Sequence, residues 1–141
     1  MNDDYIQITR NDDFFKIVSH GRCVKIINSG NSSRIISNGV HVKIINTGSD
    51  VTIMCNEDFA TIVSSGNNNI ITATGKESYV KASKGYLITL FEYEYKNYQS
   101  IPICARTERV DGERIHPDTW YMIKDGEFKE VNQIETYRNI M

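Results

Sequence analysis

Three histidines (His20, His41, His116) and three cysteines (Cys23, Cys55, Cys104) are the side chains of this 141-residue chain that could ligate a soft metal or act as nucleophile and base. A structural zinc site needs four such ligands in tetrahedral array, and no C-x-x-C or H-x-x-x-H spacing supplies them. Cys23 and His41 stand 18 residues apart, which gives two ligands and no more, so neither a metal nor a cofactor is expected. Cys55 falls in a sequence column otherwise filled by Ser, Asn and Ala, the pattern of a small turn residue rather than a nucleophile. No G-x-S-x-G elbow is present, and no Cys is marked as paired with a His. Catalysis as a nuclease or glycan hydrolase would rest on His116 and Asp118 alone, and the chain is expected not to be an enzyme.

Two groups of residues suit binding instead. Lys16, Lys25, Arg34 and Lys43 recur at intervals of nine, a spacing that could raise a basic stripe against a phosphate backbone or an acidic partner, or simply solubilise a strand face. No aromatic residues interleave with them, so single-stranded nucleic acid is not the expected ligand. The segment His116-Pro117-Asp118-Thr119-Trp120-Tyr121 holds the only tryptophan. A Trp-Tyr pair at the start of a strand either seals the end of a core or anchors a protein partner.

The element that must carry these residues is a repeat. Glycine occurs at 21, 30, 39, 48, 66 and 75, a spacing of nine with Glu57 in the vacant place. The aligned units, from GRCVKIINS to GKESYVKAS, carry Ile26, Ile35, Ile44, Ile53, Ile62, Ile71 and Val80 at their sixth position. Nine residues are too few for a helix and a turn, and β-branched residues centred between Asn/Ser/Thr-Gly corners predict one short strand and one bend per unit. Alternation places the fourth and sixth positions inside and the fifth outside, with the seventh at a corner. The eighth and ninth positions predict ladders of Asn, Ser and Thr at the bends. A coil of two units and a coil of three both fit. Two is preferred, although it stacks Lys16 on Arg34.

The fold expected is therefore all-β: a short β-solenoid of nine-residue strand-turn units, with a cap over residues 1–13, repeats over 14–92 forming about four coils, and a C-terminal β-hairpin cap over 93–141. Ile6 and Ile8 continue the core columns in phase. The register slips at Lys84-Gly85, after which YLITLFEYEY reads as a longer last strand. Turn signals at Asp111-Gly112 and Asp125-Gly126 predict hairpins among ICARTERV, RIHPDTWYMI and EFKEV, and the tail after Asn132 suits a short helix or an association segment. The corners lack the repeated Asp and paired Gly of calcium-binding β-rolls.

With 40% hydrophobic residues, one core is supportable, and a net charge of −2 produces no overall field toward nucleic acid. No apolar run is long enough for a membrane helix or a secretory signal, and the odd cysteine count suits a reducing compartment, so a cytoplasmic setting is expected.

Residues 111–131, DGERIHPDTWYMIKDGEFKEV, resemble the end of small proteins of gut bacteria and their phages in which a solenoid with Asn/Ser-Gly turns precedes V-D-G-x-x-I-x-x-D-T-W-Y and D-G-x-F-x-E-V segments. That resemblance implies a solenoid fold and a phage or mobile-element setting, and no catalytic residue. Together these readings predict a protein-binding module that inhibits or adapts a host protein, for example an anti-CRISPR acting on a defence nuclease or effector. The alternative is a structural or glycan-binding component of a virion or cell surface. The residues expected to bind are Lys16, Lys25, Arg34, Lys43, His116, Asp118, Trp120 and Tyr121, and a homodimer is compatible with them.

Overall fold

The computed structural model describes residues 3–132, and the expected role of the tail after Asn132 lies outside them. Thirteen strands follow one another: β1 (Gln7–Arg10), β2 (Lys16–Ser19), β3 (Lys25–Asn28), β4 (Arg34–Ser37), β5 (Lys43–Asn46), β6 (Thr52–Cys55), β7 (Thr61–Ser64), β8 (Ile70–Ala73), β9 (Tyr79–Lys81), β10 (Leu87–Lys96), β11 (Gln99–Arg109), β12 (Trp120–Lys124) and β13 (Glu127–Glu130). They form two sheets, ordered β1-β3-β5-β7-β9-β12-β13 and β11-β10-β8-β6-β4-β2. Alternate units thus lie in opposite sheets, and a residue stacks on the one 18 positions on, as Ile26 on Ile44 and Ile35 on Ile53. The protein is a flattened β-solenoid of about five coils, two units to a coil. At the usual strand spacing this makes a stack roughly 20 Å tall. The fifth coil arises because β1 pairs in parallel with β3, so the segment expected as an N-terminal cap contributes the first half-coil.

The sixth-position column is the core: Ile26, Ile35, Ile44, Ile53, Ile62 and Ile71 have no solvent exposure. Each such side chain contributes about 1.5–3 kcal/mol by leaving water. The eighth position also points inward, while the seventh, expected at a corner, faces outward on the strand. In the seven-stranded sheet those inward polar residues form a buried chain. Asn28 Nδ2 donates to Asn46 Oδ1 (2.8 Å), Asn46 Nδ2 donates to Ser64 Oγ (3.0 Å), and Ser64 meets the hydroxyl of fully buried Tyr86. Each amide also bonds the glycine two residues on, so no lone pair is stranded at the bend.

The corners work differently from the expectation. None of the repeat glycines has positive φ; the left-handed residue is the third of each unit, from Tyr5 and Phe14 through Cys23, Ser32, His41, Asp50, Phe59 and Asn68 to Glu77. The glycines are needed for closeness, since a β-carbon on Gly39 or Gly48 would lie 1.8 or 2.0 Å from the carbonyl oxygen of Gly21 or Gly30. Second-position side chains tie the coils together, Asp13, Asn31 and Ser49 each accepting from the backbone N–H of the residue stacked above.

The two ends of the stack differ. At the first coil Phe15 occupies an inward position, with the Arg10 guanidinium 4.5 Å above its ring. At the other end Gly85 (φ +96°) shifts the register, and β10 pairs with β8 at a separation of 17. Strand β10 then runs straight past the corner, reverses at left-handed Asn97 and Tyr98, and returns as antiparallel β11. In the other sheet β12 joins β9 antiparallel, and Asp125-Gly126 turns it into β13. The Asp111-Gly112 signal does not make a hairpin, because β11 and β12 lie in different sheets. Instead Asp111 Oδ1 accepts from the N–H groups of Glu113, Arg114 and Ile115 and folds the connection locally. Among the described residues no helix is long and apolar enough to cross a membrane.

If closeness of backbones is what the glycines provide, Gly48→Ala should cost about 2 kcal/mol or more by forcing the corner apart. Urea unfolding followed by circular dichroism checks this, and a midpoint equal to that of the parent chain would contradict it.

Candidate interaction surfaces

The 18-residue coil decides where the basic residues go. Lys16 stacks on Arg34 in the six-stranded sheet, and Lys25 stacks on Lys43 in the seven-stranded sheet. The expected single stripe is therefore two pairs on opposite faces, because successive units point in opposite directions. Lys16 and Arg34 are exposed, but Lys43 is only 8% exposed, and its ammonium pKa is lowered first by burial and then by Lys25.

Around the tryptophan the residues divide between core and surface. Tyr121 is buried, its ring tilted against Phe128 with centroids 6.3 Å apart and its hydroxyl accepting from the His116 N–H at 2.8 Å. It seals the end of the core. Trp120 is half-buried, with the Lys81 ammonium 6.0 Å from its ring centroid and 3.8 Å from the exposed carboxylate of Asp118. His116 is exposed.

Cys23 and His41 do share a corner column, as an 18-residue coil requires, but the His41 imidazole is stacked on Phe59 at 4.7 Å. Among the described residues no three His, Cys, Asp or Glu side chains converge as a metal site. Cys55 packs inside the stack, where burial pushes its thiol pKa up to about 12.

The feature that sequence reading missed is the arm formed by β10 beyond Leu90 and by β11. Its base is braced from three directions. Both carboxylate oxygens of Glu92 accept, at 2.8 Å each, from the N–H groups of Asp125 and Gly126 in the β12–β13 turn. The Tyr93 hydroxyl donates to the Thr74 carbonyl, and nearer the tip Lys76 Nζ donates to Ser100 Oγ at 3.0 Å. On the β11 side Glu108 is buried between Arg106 and Arg114, and hydrogen bonds from Arg114 and then Arg106 hold its carboxyl below the ordinary value of 4.5.

Past this base the side chains lose contact with the core. Tyr95 is 71% exposed, Tyr98 93% and Ile103 53%, with Ile101 also exposed. A cleft of about 340 Å³ lies at the base, lined by Phe91, Tyr93, Tyr95, Met122, Lys76 and Lys124. The sequence signal was the alternation in Phe91-Glu92-Tyr93-Glu94-Tyr95, which puts aromatic residues along one side of a strand that no repeat unit continues.

Set against known protein families, curated proteins and solved structures, the chain matches none.

Two outcomes follow. In the folded protein at pH 8, Cys23 and Cys104, both partly exposed, should react with a maleimide while Cys55 stays unmodified until the chain unfolds, as read by intact mass. Because the pKa of Glu108 is depressed, its contribution is complete above pH 4.5 and is lost as pH falls through the folded value. Glu108→Gln should cost about 1–2 kcal/mol at pH 7 and flatten the acid limb of a stability-versus-pH curve. An unchanged acid limb would exclude this ion cluster as its origin.

Proposed function

We propose that the chain is a non-catalytic protein-binding module and that the β10–β11 arm is its docking element. The observation that carries this reading is the arm itself: a braced hairpin that holds Tyr95, Tyr98, Ile101 and Ile103 in water. Exposed apolar residues of this number do not help the stack fold, and large aromatics on a braced support are the side chains that dominate protein interfaces. Side chains rather than strand addition would do the binding. Strand β11 carries Pro102, which lacks a donor, and the β10–β11 register breaks at Glu92/Tyr93, so the edge is blunted for pairing.

The exposed Lys16/Arg34 pair and the Trp120, His116 and Asp118 surface are subsidiary contacts in this reading. A nucleic acid is a poor candidate because the basic residues are divided between two faces. The resemblance of residues 111–131 to proteins of gut bacteria and their phages supports a cytoplasmic inhibitor or adaptor of a bacterial protein, a defence nuclease or effector of the CRISPR kind among them.

Capture of the partner from lysate of a candidate host, followed by titration with the purified partner, tests the reading. Tyr98→Ser combined with Ile103→Ser should weaken binding by about 2 kcal/mol or more and leave the melting temperature within a degree or two. Lys16→Glu with Arg34→Glu should change affinity several-fold at most. The reverse pattern would transfer the docking site to the basic pair, and equal affinity for all variants would remove both.

A further inference from the structure

Of nine exposed large apolar residues among the described ones, eight fall at the two ends of the stack, and only Ile70 lies between. One group is the arm. The other is the first coil: Tyr5 (72% exposed), Ile6, Phe14 (83%) and Val18. At this end both sheets stop at a strand, β1 and β2, whose outer edge has no strand beside it among the described residues.

We propose that the first coil is a self-association surface, on which two copies of the chain meet end to end about a two-fold axis perpendicular to the stack. The argument does not depend on the arm. A two-fold of this kind reverses strand direction, so β1 and β2 would each pair antiparallel with an edge strand of the other copy. The protein already ends both sheets at its opposite end by antiparallel addition. Continuing the stack with a parallel coil below is disfavoured. Such stacking brings a carbonyl to about 2 Å from the β-carbon position at each corner glycine, and in the first coil those corners are Asp3 and Asp12, whereas among the inner corners only Glu57 carries a β-carbon.

Charge permits the meeting, because both signs occur at this end. Asp3, Asp12 and Asp13 stand with Arg10 and Lys16, and Asp4 pairs with Arg22 at 3.0 Å. Tyr5 and Phe14 supply the apolar contact at the two corners. Strands of four residues make a small interface, which belongs to the weak and transient class. Closure by the two-fold limits the assembly to a dimer.

Sedimentation equilibrium of the full chain from about 10 μM to about 1 mM tests this, a range suited to such an affinity. The mean mass should rise from 16.1 kDa toward twice that value. Tyr5→Lys with Phe14→Lys, both at exposed positions, should abolish the rise while circular dichroism and melting remain those of the parent, and Tyr98→Ser should preserve it. Amide exchange at Gln7–Thr9 and Lys16–Val18 should slow with concentration in the parent alone. A monomer mass throughout, a dimer lost with the arm variant but kept by the first-coil variant, or masses climbing past two copies would each overturn the proposal.

Discussion

At six corners of the solenoid one coil approaches the next so closely that a β-carbon would sit 1.8–2.2 Å from a carbonyl oxygen, and Glu57 alone breaks the glycine series. Everything periodic in the structure follows from accommodating that approach. Glycine occupies the point of contact, the left-handed turn is displaced two residues onward, and the third-position N–H donates to the second-position carbonyl of the coil above, as Cys23 to Val40 and His41 to Asp58. Thirteen non-glycine residues with positive φ among the described residues are an unusual load for a chain of this size, and nine of them are these corner residues. The stacking hydrogen bonds and the isoleucine column offset it.

The same constraint sets the surface. With two units to a coil, any property that recurs every nine residues is dealt alternately to opposite faces. A basic residue every ninth position thus gives two separate pairs. The buried amide chain Asn28-Asn46-Ser64 runs up one sheet, while the facing column of Ser37, Cys55 and Ala73 stays nearly apolar.

The distinctive surfaces lie at the ends, where the repeat stops. The first coil closes with one phenylalanine under an arginine, and the last releases β10 to run on past its corner. A solenoid interior offers nearly identical coils, so distinctive shape arises only where stacking is interrupted. The braced arm and the open strand edges are such interruptions.

The nine-residue spacing and the sixth-position isoleucines by themselves determined the class of fold, the core column, the register slip near Gly85 and the Asp125-Gly126 hairpin, because each depends on local pattern and short-range turn chemistry. The tertiary structure decided the rest. Two units per coil follow from how opposing sheets fill one interior, which no single unit records. The corner conformation was hidden because Tyr5, Phe14 and Glu77 show no local sign of a left-handed turn, a state imposed by the coil above. The arm was hidden because Asn97-Tyr98 is a weak turn signal, and the pairing of β10 with β11 gains its force from Glu92, Tyr93 and Lys76 gripping elements distant in sequence. The sequence left Tyr121 as either an end seal or a partner anchor, and it is core because β12 closes the end of the seven-stranded sheet.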